Sequence, residues 1–305
     1  MNAIGAALGP VFLLILSGAL LRRLDLPGEH FWPNAERLTY YLLFPALLVY
    51  KLATAAADDI ALGNIFGNIA FMLLAGTLLL YLLRGRVAAD MPAFTSVYQG
   101  SIRFNTYIGL ACVNALYGDP GVVAAAIAIA MLIPLINLLC VSAFHLVLHR
   151  GSLRALAGSL LRNPLILACV IGIVLNRSGI GLPGWTADTL ALLGSAALPM
   201  GLLAVGVALQ PRAVHGRLRE VAWSILFRFG IMPVLMLAGL HLMPVQAVEA
   251  HTLLLFACLP TASASYILSR QLGGDSVLMA NTITVQTLAA FGLIPLWLTI
   301  GQALL

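Results

Sequence analysis

Apolar residues fill most of this chain in long runs, and what interrupts them is a scatter of arginines, prolines, glycines and short polar clusters. The stretches 1–21, 60–83, 120–149, 189–211 and 276–305 contain no Asp, Glu, Lys or Arg. Each reaches the roughly 20 residues that a helix needs to cross a bilayer. Cutting at charges, prolines and glycines predicts ten helical spans, near 9–24, 38–54, 61–83, 94–117, 121–148, 161–179, 186–209, 218–242, 248–270 and 277–303.

Composition agrees: of 305 residues 61% are hydrophobic and 9% charged, against about 25% charged in an average soluble chain. The expectation is an integral membrane protein. A formal charge of +5 would suggest nucleic acid in a soluble chain, but its distribution has a topological reading and no nucleic-acid partner is expected. Twelve basic residues follow odd-numbered spans (Arg22, Arg23, Arg37, Arg84, Arg86, Arg150, Arg154, Arg162, Arg212, Arg217, Arg219, Arg270) and two, Lys51 and Arg177, follow even-numbered ones. Short-loop Lys and Arg mark the cytoplasmic side, so odd loops are placed there and both termini outside. The first apolar segment runs into Arg22-Arg23 without a basic n-region, and reads as a retained span rather than a signal peptide. Cys112, Cys140, Cys169 and Cys258 lie in apolar runs with no CxxC spacing, and are expected as buried hydrophobes.

An internal repeat organises the spans. Gly9-Pro10, Gly18, Arg22-Arg23, Leu26-Pro27-Gly28 and Pro45 are echoed by Asn163-Pro164, Gly172, Asn176-Arg177, Leu182-Pro183-Gly184 and Pro199, an offset of 154 residues. The halves are 1–150 and 151–305. Five spans per copy make the second copy enter the membrane from the opposite side. Inverted repeats with a site at mid-membrane are an architecture of secondary transporters, in which matching broken helices build the site.

Matching interruptions fall in spans four and nine. Span four carries Arg103, Asn105, Thr106 and Tyr107; span nine carries Pro260, Thr261, Ser263 and Ser265. Pro260 removes a backbone donor and opens its helix. If both helices break and cross, their half-helix N-termini favour an anion such as a carboxylate, with Asn105, Thr106, Thr261 and Ser263 orienting it. The alternative is that these polar residues only bridge packed helices. Arg103 either adds positive potential on the route in or snorkels to the surface. Arg228, deep in span eight, has no obvious acidic partner and is expected to face a cytoplasmic cavity. Asn137 in span five, with Asn281, Thr284 and Gln286 in span ten, are candidates for supporting the crossing or an ion site. All eleven Asp and Glu are placed in loops or near span ends. The coupling ion, H+ or Na+, is therefore open, no other cofactor is expected, and His145, His241 and His251 are weak proton candidates.

The stretches YYLLFPALL, RFNTYIGLA, NPLILACVIGIVL, LPMGLLAVGVAL and LPTASASYILSRQLGGD together resemble the auxin efflux carrier family over essentially the whole chain. The bacterial members most similar to it carry small organic anions such as malonate or malate. The resemblance implies an all-α fold like that of the bile-acid/sodium symporters. Helices 1, 2, 6 and 7 would form a scaffold that also dimerises, and helices 3–5 and 8–10 a moving, elevator-type transport domain in the bacterial inner membrane. It also places a substrate-contacting asparagine at Asn105 and the second crossing proline at Pro260. The chain departs from the family at the first crossing, where no proline stands between Pro92 and Pro120, so Gly100 and Gly109 are expected to supply flexibility. Two alternatives stay open: a sodium-coupled bile-acid-type symporter, and an intramembrane enzyme or receptor. Against an enzyme, there is no HExxH, GxSxG or intramembrane aspartate pair.

Overall fold

A computed structural model describes residues 2–28, 30–55, 61–149, 158, 161–209 and 217–305, and no strand occurs among them. The loop arginines Arg150, Arg154 and Arg212 lie outside the described residues. In chain order the elements are α1 (Asn2–Arg23), α2 (Phe31–Leu38), a π turn (Thr39–Leu43), α3 (Phe44–Ala53), α4 (Leu62–Leu82), α5 (Arg84–Val87), α6 (Met91–Ile102) and α7 (Thr106–Leu148). Then come α8 (Pro164–Arg177), α9 (Trp185–Ala208), α10 (Leu218–Leu226), a second π turn (Phe227–Ile231), α11 (Met232–Leu242), α12 (Ala247–Ala257), α13 (Ala264–Leu272) and α14 (Ser276–Leu304). Among the described residues six helical runs are long and apolar enough to cross a membrane: Ile4–Arg23, Leu62–Leu82, Met91–Leu148, Trp185–Ala208, Leu218–Leu242 and Ser276–Leu304. Leu13, Leu16 and Leu20 of α1 and Val170, Ile171 and Val174 of α8 stand exposed. Such apolar faces suit hydrocarbon, and the chain is an integral membrane protein.

Prolines explain the two π turns. Pro45 and Pro233 have no N–H to return to the carbonyl four residues back, so the turn before each widens, and Phe44 N and Met232 N bond Thr39 O and Phe227 O five residues back. The carbonyl freed by Pro233, Phe229 O, accepts from Trp297 Nε1 of α14. Within α7 the long helical run turns at Gly118, whose φ of 59° and ψ of −145° only glycine adopts cheaply.

Small residues set the closest packing. A Cβ at Gly18 would overlap Leu203 O, and one at Gly206 would overlap Ile15 O, so the backbones of α1 and α9 touch. Gly172 seats α8 against Val49 and Leu52 of α3, and Gly194 seats α9 against Leu47. These four helices make one panel. The second group packs α4 against α11, where Asn68 Nδ2 donates to Met243 O at 2.8 Å. All four cysteines are buried and unpaired.

At one end of the second group, Arg217 bridges two helix caps. Its guanidinium bonds Asp90 at 2.7 Å and Asp275 at 3.0 Å, and these carboxylates cap α6 and α14 through Ala93 N and Leu278 N. The Arg217 hydrogen bond, with the Ala93 amide, holds the Asp90 carboxyl below its ordinary range. A depressed folded pKa means stability that is present above the unfolded value and lost as pH falls through the folded one. Asp90→Asn keeps a capping oxygen but loses the ion pair. It is expected to cost no more than about 1 kcal/mol at neutral pH, given the solvent around the pair, and to flatten the loss of thermal stability below about pH 4. Melting curves of both proteins from pH 7 down to 3 check this; identical pH profiles would show that the pair carries no linkage.

Candidate functional site

Both interrupted helices break in the middle of the second group, and the breaks touch. Between α6 and α7, Arg103 and Asn105 are extended, with ψ of 153° and 105°. Neither proline nor glycine makes this break. Asn105 does, as the N-cap of α7: its Oδ1 accepts from Tyr107 N at 3.0 Å and Ile108 N at 3.2 Å. Gly100 and Gly109 do not supply the flexibility expected of them. Both stay helical, and a Cβ would stand 2.5 Å from Ser224 Oγ at Gly100 and 2.7 Å from Leu259 Cδ1 at Gly109, so they are close-packing positions.

The second break runs from Cys258 to Ser263. Pro260 contributes its carbonyl, which accepts from Asn105 N at 2.8 Å and so joins the two breaks directly. Gln286 of α14 ties them again: Oε1 accepts from Thr261 N at 2.9 Å, while Nε2 donates to Gly100 O at 2.9 Å and Ser224 Oγ at 2.8 Å. Thr261 is fully buried, and its hydroxyl lies 3.3 Å from Ser265 Oγ and 3.5 Å from Gln99 O. It belongs to the joint rather than to a cavity.

A cavity of about 530 Å³ opens beside the crossing, lined by Asn105, Thr106, Tyr107 and Ser263 with Glu36 and Tyr40 across from them. A second, of about 460 Å³, shares Glu36 and Ser263 and continues to Arg22, Asp25 and Tyr266. Tyr107 is held by stacking on Phe44, centroids 4.7 Å apart and planes within 7°. Three helix N-termini reach the first cavity, those of α7, α8 (through Leu165) and α13 (through Ala262, Ser263 and Ala264). First-turn amides such as Thr106 N and Ala264 N have no acceptor in their own helix, and the dipoles behind them place positive potential there.

Of the other candidates, Arg103 is half-buried beside Cys140 of α7 and lines neither cavity. Asn137 is half-buried and also lines neither, and Asn281 is buried in α14 with its Oδ1 unpartnered. His241 and His251 turn their Nδ1 to carbonyls of their own helices, Leu237 O and Ala247 O.

Two residues emerge whose role the sequence does not show. Glu36, expected among the acidic residues in loops or near span ends, sits on α2 and lines both cavities. Arg228, expected to face a cytoplasmic cavity, is 1% exposed inside the crossing, where its Nε and Nη2 donate to Leu259 O and Phe256 O. The π turn that carries it lies beside both breaks, a proximity that linear sequence does not show.

Comparison with known proteins places these features in a wider setting. The profile of a membrane transport protein family matches residues 35–298. A protein of Rhizobium meliloti (strain 1021), provisionally named a malonate transporter, is 26% identical over 306 residues, covering 92% of this chain and 90% of the relative. An uncharacterised transporter of Methanocaldococcus jannaschii is 25% identical over 154 residues, 48% of this chain and 49% of its own. A sodium-dependent organic anion transporter of Bos taurus is 32% identical over 110 residues, 33% of this chain and 28% of its own.

Proposed function

Since this chain belongs to the membrane transport protein family, the auxin efflux carrier family that its motifs resemble, we propose that it carries a small organic anion, a mono- or dicarboxylate of malonate size, through the crossing of the two broken helices. The observation that carries this reading is the cavity beside Asn105, walled by three helix N-termini. Such ends favour negative charge, and those of α7 and α13 offer free first-turn amides, Thr106 N and Ala264 N, to carboxylate oxygens, whereas at α8 Asn163 Oδ1 already takes Leu165 N and Ile166 N. Asn105 adds a donor. Because Oδ1 accepts two backbone N–H groups, the side-chain amide is fixed in orientation and its Nδ2 is left for substrate. The relative named for malonate transport supports this size of substrate.

The helices are read as ten spans in two inverted repeats, one over 1–150 and one over 151–305. The panel of α1, α2–α3, α8 and α9 is the scaffold, and its exposed apolar face on α8 suits a homodimer. The remaining helices, carrying both breaks, are the body that moves in an elevator-type cycle. The cavities run from the crossing toward Arg22 and Arg37, the basic side, so this conformation is read as open to the cytoplasm with both termini outside.

Uptake of labelled malonate, malate and auxin-like aromatic acids into proteoliposomes tests the function. Saturable flux of one class supports it; no flux of any anion, or turnover of a lipid or peptide instead, refutes it. A sodium-coupled symporter is the second reading, favoured by the partial likeness to the bovine sodium-dependent transporter.

Glu36 sharpens the prediction. An ionised carboxylate on the wall of an anion site repels its ligand, so Glu36→Gln is expected to tighten dicarboxylate binding at neutral pH by roughly two- to tenfold, the scale of one charge across a hydrated cavity. Isothermal titration of the two proteins decides it. Weaker binding in the variant would mean that Glu36 takes part in holding substrate.

A further inference from the structure

Breaking two helices at one place creates negative ends as well as positive ones. The C-terminal turns of α6 and α12 leave carbonyls without helical partners, each end carrying about half a negative charge. In membrane transporters, unwound carbonyls and half-helix C-termini are where a coupling cation is held. Here those positions are already filled from within the chain. Arg228 Nε and Nη2 donate to Leu259 O and Phe256 O at the end of α12, and Nη1 lies 3.4 Å from Ser101 O and 3.5 Å from Ile102 O at the end of α6.

The other carbonyls at the end of α6 are accounted for too. Gly100 O accepts from Gln286 Nε2 and Gln99 O from Arg103 N, each at 2.9 Å, so all of the last four carbonyls of α6 have donors. Beyond α12, Pro260 O takes Asn105 N. Among the described residues no carboxylate pairs with Arg228. The unpartnered oxygens of the second group, Asn68 Oδ1, Gln99 Oε1, Thr252 Oγ1, Asn281 Oδ1 and Thr282 Oγ1, carry no formal charge. One guanidinium against two half-charged helix ends closes the local charge balance without a carboxylate or an ion.

We propose that Arg228 is a built-in counter-cation, holding the place at the crossing that a coupling sodium ion would otherwise take, and that substrate binding and movement by this chain are therefore independent of sodium. The negative helix ends themselves require only the fold. The link to substrate rests on the reading of the crossing as the carrier site.

The test is thermal unfolding of the purified full chain, without carboxylate, in sodium, potassium and choline chloride at equal ionic strength. The wild type is expected to melt within about 1 °C in all three, as for a protein with no site to be filled by the ion. Arg228→Ala is expected to melt lower, and to be raised by millimolar guanidinium but not by urea, its neutral isostere. A saturable stabilisation of the wild type by sodium would overturn the assignment. So would an Arg228→Ala protein as stable as wild type, or one that responds equally to guanidinium and urea. Should Arg228→Ala not fold, Arg228→Lys replaces it, expected to retain part of the stability with no sodium response; a saturable sodium stabilisation of the wild type still decides against the idea. Malonate uptake with sodium exchanged for choline completes the series. Unchanged uptake supports Arg228 as the resident cation and loss in choline alone refutes it, whereas no uptake under any cation refutes the carrier reading and leaves the melting series to judge Arg228.

Discussion

Asn105→Asp is expected to abolish carboxylate binding while leaving the protein folded. Aspartate caps a helix as well as asparagine does, so Tyr107 N and Ile108 N keep their acceptor and Asn105 N still reaches Pro260 O. What changes is the other end of the side chain, where a donor becomes half of an anionic carboxylate in a cavity walled by helix N-termini. A hydrogen bond to a charged partner is worth roughly 1.5–3 kcal/mol. Its loss, with like-charge repulsion added, predicts a fall in affinity of about hundredfold or more. Asn105→Ala makes a poorer test because it also removes the cap, at about 1 kcal/mol of stability. The measurement is the saturable thermal shift of wild type and both variants across a panel of mono- and dicarboxylates. An Asn105→Asp protein that melts like wild type and still shifts with the same ligand would take Asn105 out of the site.

That asparagine also shows how far sequence alone reaches. Long apolar runs place several helices closely, because in hydrocarbon the length of an apolar run is the physical requirement itself: the predicted 218–242 is α10 to α11 and 186–209 is α9 to within one residue, whereas α1 and α2 begin seven residues before the predicted 9 and 38. The break in span four was harder. Without a proline the expectation falls on Gly100 and Gly109, although the local signal is an N-cap asparagine ahead of an apolar run, the same signal that Asn163 gives at α8. Glu36 falls just outside the predicted span 38–54 because a charge bounds an apolar run, while in the fold α2 starts at Phe31 and carries its carboxylate along the cavity wall. Arg228 was illegible for a different reason. Its partners are backbone carbonyls 28 and 31 residues ahead and 126 and 127 behind, and no side-chain pattern records where a carbonyl will point. Charge pairing can be searched for in a sequence; capping of distant helix ends cannot.

Gly206→Ala is expected to be among the most damaging single substitutions in the chain, although it adds one methyl group at a helical position where alanine is intrinsically the better residue. The added Cβ would overlap Ile15 O and approach Ala19 N to 2.8 Å, and these are backbone atoms of α1 that cannot rotate aside. The facing glycine compounds this, since a Cβ at Gly18 would meet Leu203 O from the other direction. To admit the methyl, α1 and α9 must separate along their seam and surrender the packing of Ile15 and Val205, both buried there. Overpacking against rigid backbone predicts a loss of roughly 3 kcal/mol or more, seen as a lowered melting temperature or as failure to recover folded protein. Gly9→Ala and Gly292→Ala are the controls: both glycines are helical and neither would bring a Cβ within 4 Å of another group, so these variants are expected to be neutral or slightly stabilised. If Gly206→Ala melts with its controls, the α1–α9 seam is looser than drawn and cannot serve as the rigid panel against which the broken helices move. If it alone collapses, the panel is held by backbone contact, and the helices free to shift are those that carry the crossing.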